Sequence, residues 1–101
     1  MSVEISIIIP TLNEATEIGR TLDEIRILAG SFEIIVADGG STDETCELAT
    51  SRDATVILTE RGRGIQFHAG ALAATGSVLW FLHADSIPPP DAIRRIHEAL
   101  S

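Results

Sequence analysis

The chain has 101 residues with 15 acidic against 7 basic ones, a formal net charge of −8 and no lysine. That balance leaves no basic face for nucleic acid and disfavours an anionic membrane surface. With 45% hydrophobic residues the chain is also too apolar to be disordered. No apolar run nears the roughly 20 residues of a membrane helix, and the single Cys46 allows neither an internal disulfide nor a cysteine zinc site. The opening residues do not read as a signal peptide. A cytoplasmic location is therefore expected, peripheral to the inner face of the membrane at most.

Residues 5–9, a β-branched run stopped by Pro10, read as a first strand. Residues 13–28 read as an amphipathic helix, with Ile18, Leu22, Ile25 and Leu28 at helical spacing. Glu14 and Glu17 suit its first turn and Gly30 its end. Residues 34–37 form a second strand, broken by Asp38, Gly39 and Gly40. The S-x-x-E order at 41–44 predicts a capping box and a short helix. Residues 55–58 read as a third strand and 60–64 as a loop carrying Arg61 and Arg63. Residues 66–74 form an alanine-rich helix before Gly76, and 78–82 a fourth strand. A turn at 86–90 leads into a helix over 91–100, with Ile93, Ile96 and Leu100 on one face. Strands that are apolar throughout and alternate with helices predict an α/β fold: an open, mainly parallel four-stranded sheet with flanking helices. The expected spatial order is 3-2-1-4. Nothing shields the edge of strand four, so self-association through it is expected.

In such sheets ligands bind outside the carboxyl ends of the strands, and the chemically useful residues fall there. The common nucleotide motifs are missing. A phosphate loop needs a lysine, and the turn after strand one has no glycine for a dinucleotide fingerprint. Asp38, followed by two glycines, either accepts from a base N–H or ribose hydroxyl or caps the next helix. Arg61 and Arg63 fit a phosphate or simply face solvent. Asp85 suits a hard cation that also holds a diphosphate, with His83 beside it, or the two are a cap and a packed imidazole.

Four segments together, SIIIPTLNE at 6–14, EIIVADGGSTD at 33–43, AG at 69–70 running to AATG at 73–76, and FLHAD at 81–85, resemble the donor half of family-2 glycosyltransferases, inverting enzymes of the GT-A fold. The resemblance covers residues 5–100. It implies that Pro10, Thr11, Asn13 and Glu14 line a nucleoside pocket and that Asp38 binds the base or ribose. Asp85, matching the second aspartate of the family's D-x-D motif, would hold a divalent metal, Mg or Mn. His83 stands in the first aspartate's place and would hydrogen-bond a hydroxyl. Gly39 stands where a second acidic residue is usual, and Phe67 where an arginine often precedes Ala-Gly, so Arg63 would supply the missing charge. The implied ligand is a nucleotide-diphosphate sugar, whose sugar passes to an acceptor of unknown identity. The family's general base lies well after the D-x-D motif. The chain is thus expected to be a nucleotide-sugar-binding part, residues 1–101, that stops before the acceptor half and does not turn over alone. A nucleotidyltransferase and a non-catalytic nucleotide-binding fragment are the alternatives.

Overall fold

A computed structural model describes residues 4–28 and 30–100, without the side chain of Leu100. Four strands, β1 (Ile5–Thr11), β2 (Phe32–Asp38), β3 (Thr55–Leu58) and β4 (Val78–Phe81), alternate with four helices, α1 (Ala15–Arg26), α2 (Thr45–Thr50), α3 (Arg63–Ala73) and α4 (Ala92–Leu100). The strands form one sheet in the order β3-β2-β1-β4, as expected, and every pairing is parallel.

β1 is central because both of its faces are apolar. Ile5, Ile7, Ile8 and Ile9 are all fully buried, and alternate side chains of a strand serve opposite faces. Ile5, Ile7 and Ile9 join Ile18, Leu22 and Ile25 of α1 and Ile93 of α4 in the main core. Ile8 faces α3, where a Cβ on Gly70 would lie 2.4 Å from its Cγ2. Glycine is required there by close approach of helix to strand, not by an unusual backbone. The two edge strands behave differently from the expectation of uniformly buried strands. In β4, Leu79 and Phe81 remain 40% and 46% exposed, and in β3 Leu58 remains 78% exposed. Each edge strand has only one neighbour and lacks a covering helix on part of its outer face.

Several boundaries differ from those read in the sequence. α1 begins at Ala15 rather than 13, because Asn13 adopts a left-handed conformation (φ 54°), which a helix does not accept. It ends at Arg26, two residues before Leu28. The capping box at 41–44 does not form. Glu44 makes no side-chain cap bond, and the Asp43 carboxylate instead accepts from the Thr45 N–H at 3.0 Å. α3 starts at Arg63, three residues earlier than expected, directly after Gly62 at φ 144°. It stops at Ala73, short of Gly76. Leu82 lies outside β4, and β2 is longer than expected at both ends. The expected α4 face keeps Ile93 and Ile96, while the side chain of Leu100 lies outside the described residues.

Candidate functional site

The carboxyl ends of β1 and β4 open onto a cleft of about 330 Å³. One wall is Pro10, Thr11, Leu12 and Glu14; a second is His83, Ala84 and Asp85; the third is Arg61, Gly62, Arg63 and Gln66 at the start of α3. Pro10, Thr11, Glu14, Arg63, His83 and Asp85 of the expected residues therefore meet at one place. Asn13, Asp38 and Gly39 are not among the residues lining the cleft; Asp38 and Gly39 are buried beside it and Asn13 is exposed.

Asp38 and Asn13 belong to a polar lattice. Asp38 is 1% exposed, and its carboxylate is already occupied by its own chain. Oδ1 accepts from the Thr11 hydroxyl at 2.7 Å and from the Ser41 hydroxyl. Oδ2 accepts from the N–H groups of Ser41 and Gly40 at 2.8 and 3.1 Å. Of the readings left open by the sequence, helix capping is not what Asp38 does, since α2 starts only at Thr45. The carboxylate organises the turn after β2 and fixes Thr11. Asn13 works from the other loop. Its N–H donates to Ser41 Oγ at 2.8 Å, and its Oδ1 accepts from the Thr42 N–H at 2.8 Å. The loops after β1 and β2 are thus laced together.

Burial pushes the Asp38 carboxyl up, but the Ser41, Thr11 and Gly40 donors outweigh it and hold the group below the ordinary aspartate value. Glu14 is shifted the other way. Partial burial raises it first, and the negative charges of Asp85, Asp43 and Glu17 raise it further. Glu14 and Asp85 are thus acidic neighbours with no basic partner at close range among the described residues. The opposite wall carries cations in reserve. Arg20, Arg26, Arg52 and Arg94 are engaged in ion pairs or hydrogen bonds. Arg61 and Arg63 have neither among the described residues. They flank the amino end of α3, which has no side-chain cap and no acidic residue in its first turn. Free N–H groups and the positive end of the helix dipole add to the two guanidinium charges. His83 sits edge-on to Phe67, with ring centroids 6.3 Å apart, and Phe67 in turn meets Phe81 at 4.7 Å.

Gln66 is the residue sequence reasoning missed. It is 4% exposed and bonds to the ends of both central strands. The available signal was one amide among the apolar residues of an alanine-rich helix. Cys46 lies outside the cleft. Burial first, then the charge of Asp38 and its hydrogen bond to it, push the thiol up to about 11, which makes it an inert thiol at neutral pH.

An open parallel sheet with acidic and basic walls facing across the carboxyl ends of its strands has the architecture of a nucleotide-binding α/β protein. Comparison with known proteins narrows the class. The family model "Glycosyl transferase family 2" matches residues 6–101. A PGL/p-HBAD biosynthesis glycosyltransferase of Mycobacterium bovis is 39% identical over 100 residues, covering 90% of this chain and 39% of that protein. Glucosyl-3-phosphoglycerate synthase of Mycolicibacterium smegmatis is 33% identical, covering 84% of this chain and 32% of that protein. Among solved structures, a mannosyltransferase of Pyrobaculum calidifontis in complex with GDP-Man and Mn²⁺ has a TM-score of 0.78 at 28% identity. It covers 90% of this chain and 30% of that one. Glucosyl-3-phosphoglycerate synthase of Mycobacterium tuberculosis, in complex with Mn²⁺, UDP and glucosyl-3-phosphoglycerate, has a TM-score of 0.76 at 29% identity, covering 88% of this chain and 36% of that one. The chain belongs to glycosyl transferase family 2 and has the GT-A fold. It spans about 39% of the length of the M. bovis relative. No helix among the described residues is long and apolar enough to cross a membrane.

Proposed function

We propose that this chain is the nucleotide-sugar-binding part of an inverting glycosyltransferase, and that the cleft at the ends of β1 and β4 takes the donor's nucleoside diphosphate. The observation that carries the reading is that two arginines without a partner among the described residues, Arg61 and Arg63, line the same cleft as Asp85 in a chain of net charge −8. In so acidic a protein, two free guanidinium groups at an uncapped helix start are matched to an anion, and their planar forks match phosphate oxygens. The family relatives named above that were solved with UDP or GDP-Man and Mn²⁺ support the same ligand class.

The residues present fit a divalent ion, Mg or Mn. Asp85 offers an exposed carboxylate at the cleft. Among the described residues no group of three or more His, Cys, Asp or Glu forms a complete cage. Ions of this kind commonly use one or two carboxylates plus substrate phosphates and water. Such an ion supplies Lewis-acid stabilisation of negative charge on a leaving diphosphate. The chain's own groups do the rest of the binding. Pro10 and Thr11 form the floor for the nucleoside, with Thr11 bonded to Asp38. Arg61 and Arg63 take the phosphates, and His83 is placed to hydrogen-bond a ribose or sugar hydroxyl. The acceptor hydroxyl would attack the anomeric carbon from the face opposite the diphosphate. A cytoplasmic site of action fits a nucleotide-sugar donor. The open β4 edge, with Leu79 and Phe81 exposed, supports pairing with a second copy.

The test is calorimetric titration of the chain with UDP and GDP, with and without Mn²⁺. Metal-dependent binding is expected, and Asp85→Ala is expected to abolish the metal dependence while leaving weak metal-free binding. Loss of a good charged contact corresponds to roughly 10- to 150-fold in affinity. Binding to the wild type that is indifferent to metal would overturn the assignment of Asp85.

A further inference from the structure

We propose that Gln66 is the positioning residue of this cleft. It holds the arginine-bearing turn toward Asp85 from a space that Gly39 leaves open. The inference rests on the donor-site reading above and goes beyond it by naming what orients the phosphate-binding side.

Three bonds define the role. Gln66 Nε2 donates to the carbonyls of Thr11 and Ala37, both at 2.9 Å. Its Oε1 accepts from the Gly62 N–H at 3.0 Å. One amide therefore ties the end of β1, the end of β2 and the residue between Arg61 and Arg63. Gly62 needs this tie. At φ 144° it occupies a region closed to other residues, and as first residue before α3 it has no side-chain cap of its own. Arg61 and Arg63 make no bond or ion pair with any described residue. Their placement over the cleft is consequently inherited from the backbone of Gly62, and through it from Gln66.

Gly39 explains how the amide fits. A Cβ there would lie 2.9 Å from Gln66 Oε1, 3.0 Å from its Cδ and 3.1 Å from its Nε2. Gly39 is not at positive φ, so glycine is needed for space and not for conformation. A side chain at 39, such as the acidic one usual in the family, would crowd the amide of Gln66 and force it to shift from its three-bond position. In this chain the position is given to a neutral group that donates to backbone carbonyls instead of to a carboxylate that would face them.

The experiment compares uridine with UDP, and guanosine with GDP, by titration of the full chain in the presence of Mn²⁺. The readout is the increment in affinity that the diphosphate adds to the nucleoside. Gln66→Met removes the three bonds at nearly constant volume. Gly39→Ala displaces the amide without deleting it and serves where the first variant fails to fold. Both are expected to cut the increment roughly tenfold, the scale of one misplaced charged hydrogen bond, and to flatten its dependence on salt; nucleoside affinity, which depends on the Thr11 segment that Gln66 also bonds, is expected to fall by less than the increment does. The double variant is expected to be no worse than the worse single one, because both act through the same contact. An equal fall for nucleoside and diphosphate, or an unchanged increment in both variants, overturns the positioning role while leaving the donor site intact. A wild type that binds no nucleoside diphosphate overturns the donor-site reading and this inference with it.

Discussion

Replacing Asp38 separates two roles that a carboxylate at the end of β2 could serve. As a nucleoside ligand it would affect binding and leave the fold alone. As the organiser of the turn it would affect the fold first. Besides the Cys46 thiol, the carboxylate has four donors from its own chain: the hydroxyls of Thr11 and Ser41 and the N–H groups of Gly40 and Ser41. Asp38 itself is 1% exposed, but the two N–H donors sit on Gly40, which is exposed, and Ser41, which is half-buried, so water can reach them once the carboxylate is gone. In Asp38→Ala the cost is therefore that of the lost bonds and not of buried orphaned donors. At about 0.5–1.5 kcal/mol for each of the two N–H bonds, the expected loss is roughly 1–3 kcal/mol. For a domain of this size each kcal/mol lowers Tm by about 4–8 °C, so the variant should melt on the order of 10 °C lower.

Asp38→Asn is the graded control. Its carbonyl can keep the two N–H donors while its amide donates to the two hydroxyls, so only the charge is lost and about 1–2 kcal/mol should go. The pH dependence carries a sign. The folded carboxyl titrates below its unfolded value. Its stabilisation is therefore fully present above the unfolded value, near 3.8, and is lost as pH falls through the folded value. Removing the charge should flatten the acid side of the Tm-versus-pH curve for both variants, measured by circular dichroism. A wild-type Tm in Asp38→Ala together with lost nucleotide affinity would refute the turn-organiser argument.

Gly70→Ala should lower stability by about 1–3 kcal/mol through overpacking, since its new Cβ would meet Ile8 Cγ2 at 2.4 Å in a fully buried strand; chemical denaturation measures it, and an unchanged midpoint would mean that α3 can shift. Cys46, pushed up to about 11 from 9.0, should alkylate with iodoacetamide at pH 8 roughly 100-fold more slowly than a free thiol; reaction at the free rate would show the group to be less buried than described. Leu79→Lys, placing a charge on the open edge, should reduce concentration-dependent association by light scattering, and association equal to wild type would remove β4 as the contact.

What the sequence made legible was the apolar periodicity. β3 could be bounded closely because its short β-branched run ends at a loop, whereas β1 runs through Pro10 to Thr11 instead of stopping at residue 9; strand order followed from β1 being apolar on both faces. The edge strands were legible as strands but not in their exposure. The sequence VLWF reads as buried on both faces, yet Leu79 and Phe81 remain partly open because β4 is an edge strand, and Phe81 is covered only in part, by Phe67 of α3. Helix starts failed where a distant polar partner decided the outcome. Asn13 followed by Glu14 has the look of a helix start, but Asn13 is turned left-handed while bonded to Ser41 and Thr42 in the next loop. Ser41 has the look of a cap, but it is bonded to Asp38.

The cleft follows the same division. Asp85 follows a strand end and Arg63 a glycine loop, both visible as positions in the sequence, whereas Thr11 entered through the family resemblance; the three line one cleft. The polar lattice beside the cleft was hidden because each of its bonds joins residues far apart in the chain, and local patterns hold no record of such pairs. Gly39 is the sharpest case. The sequence marks it as a departure from the family's acidic residue, and by itself the departure reads as a lost function. With Gln66 Oε1 lying 2.9 Å from where its Cβ would be, the glycine is instead the condition for an amide to reach Thr11, Ala37 and Gly62 at once. One glycine in a strand-end loop and one polar residue on an apolar helix are then in contact, and the room left by the first is used by the three bonds of the second.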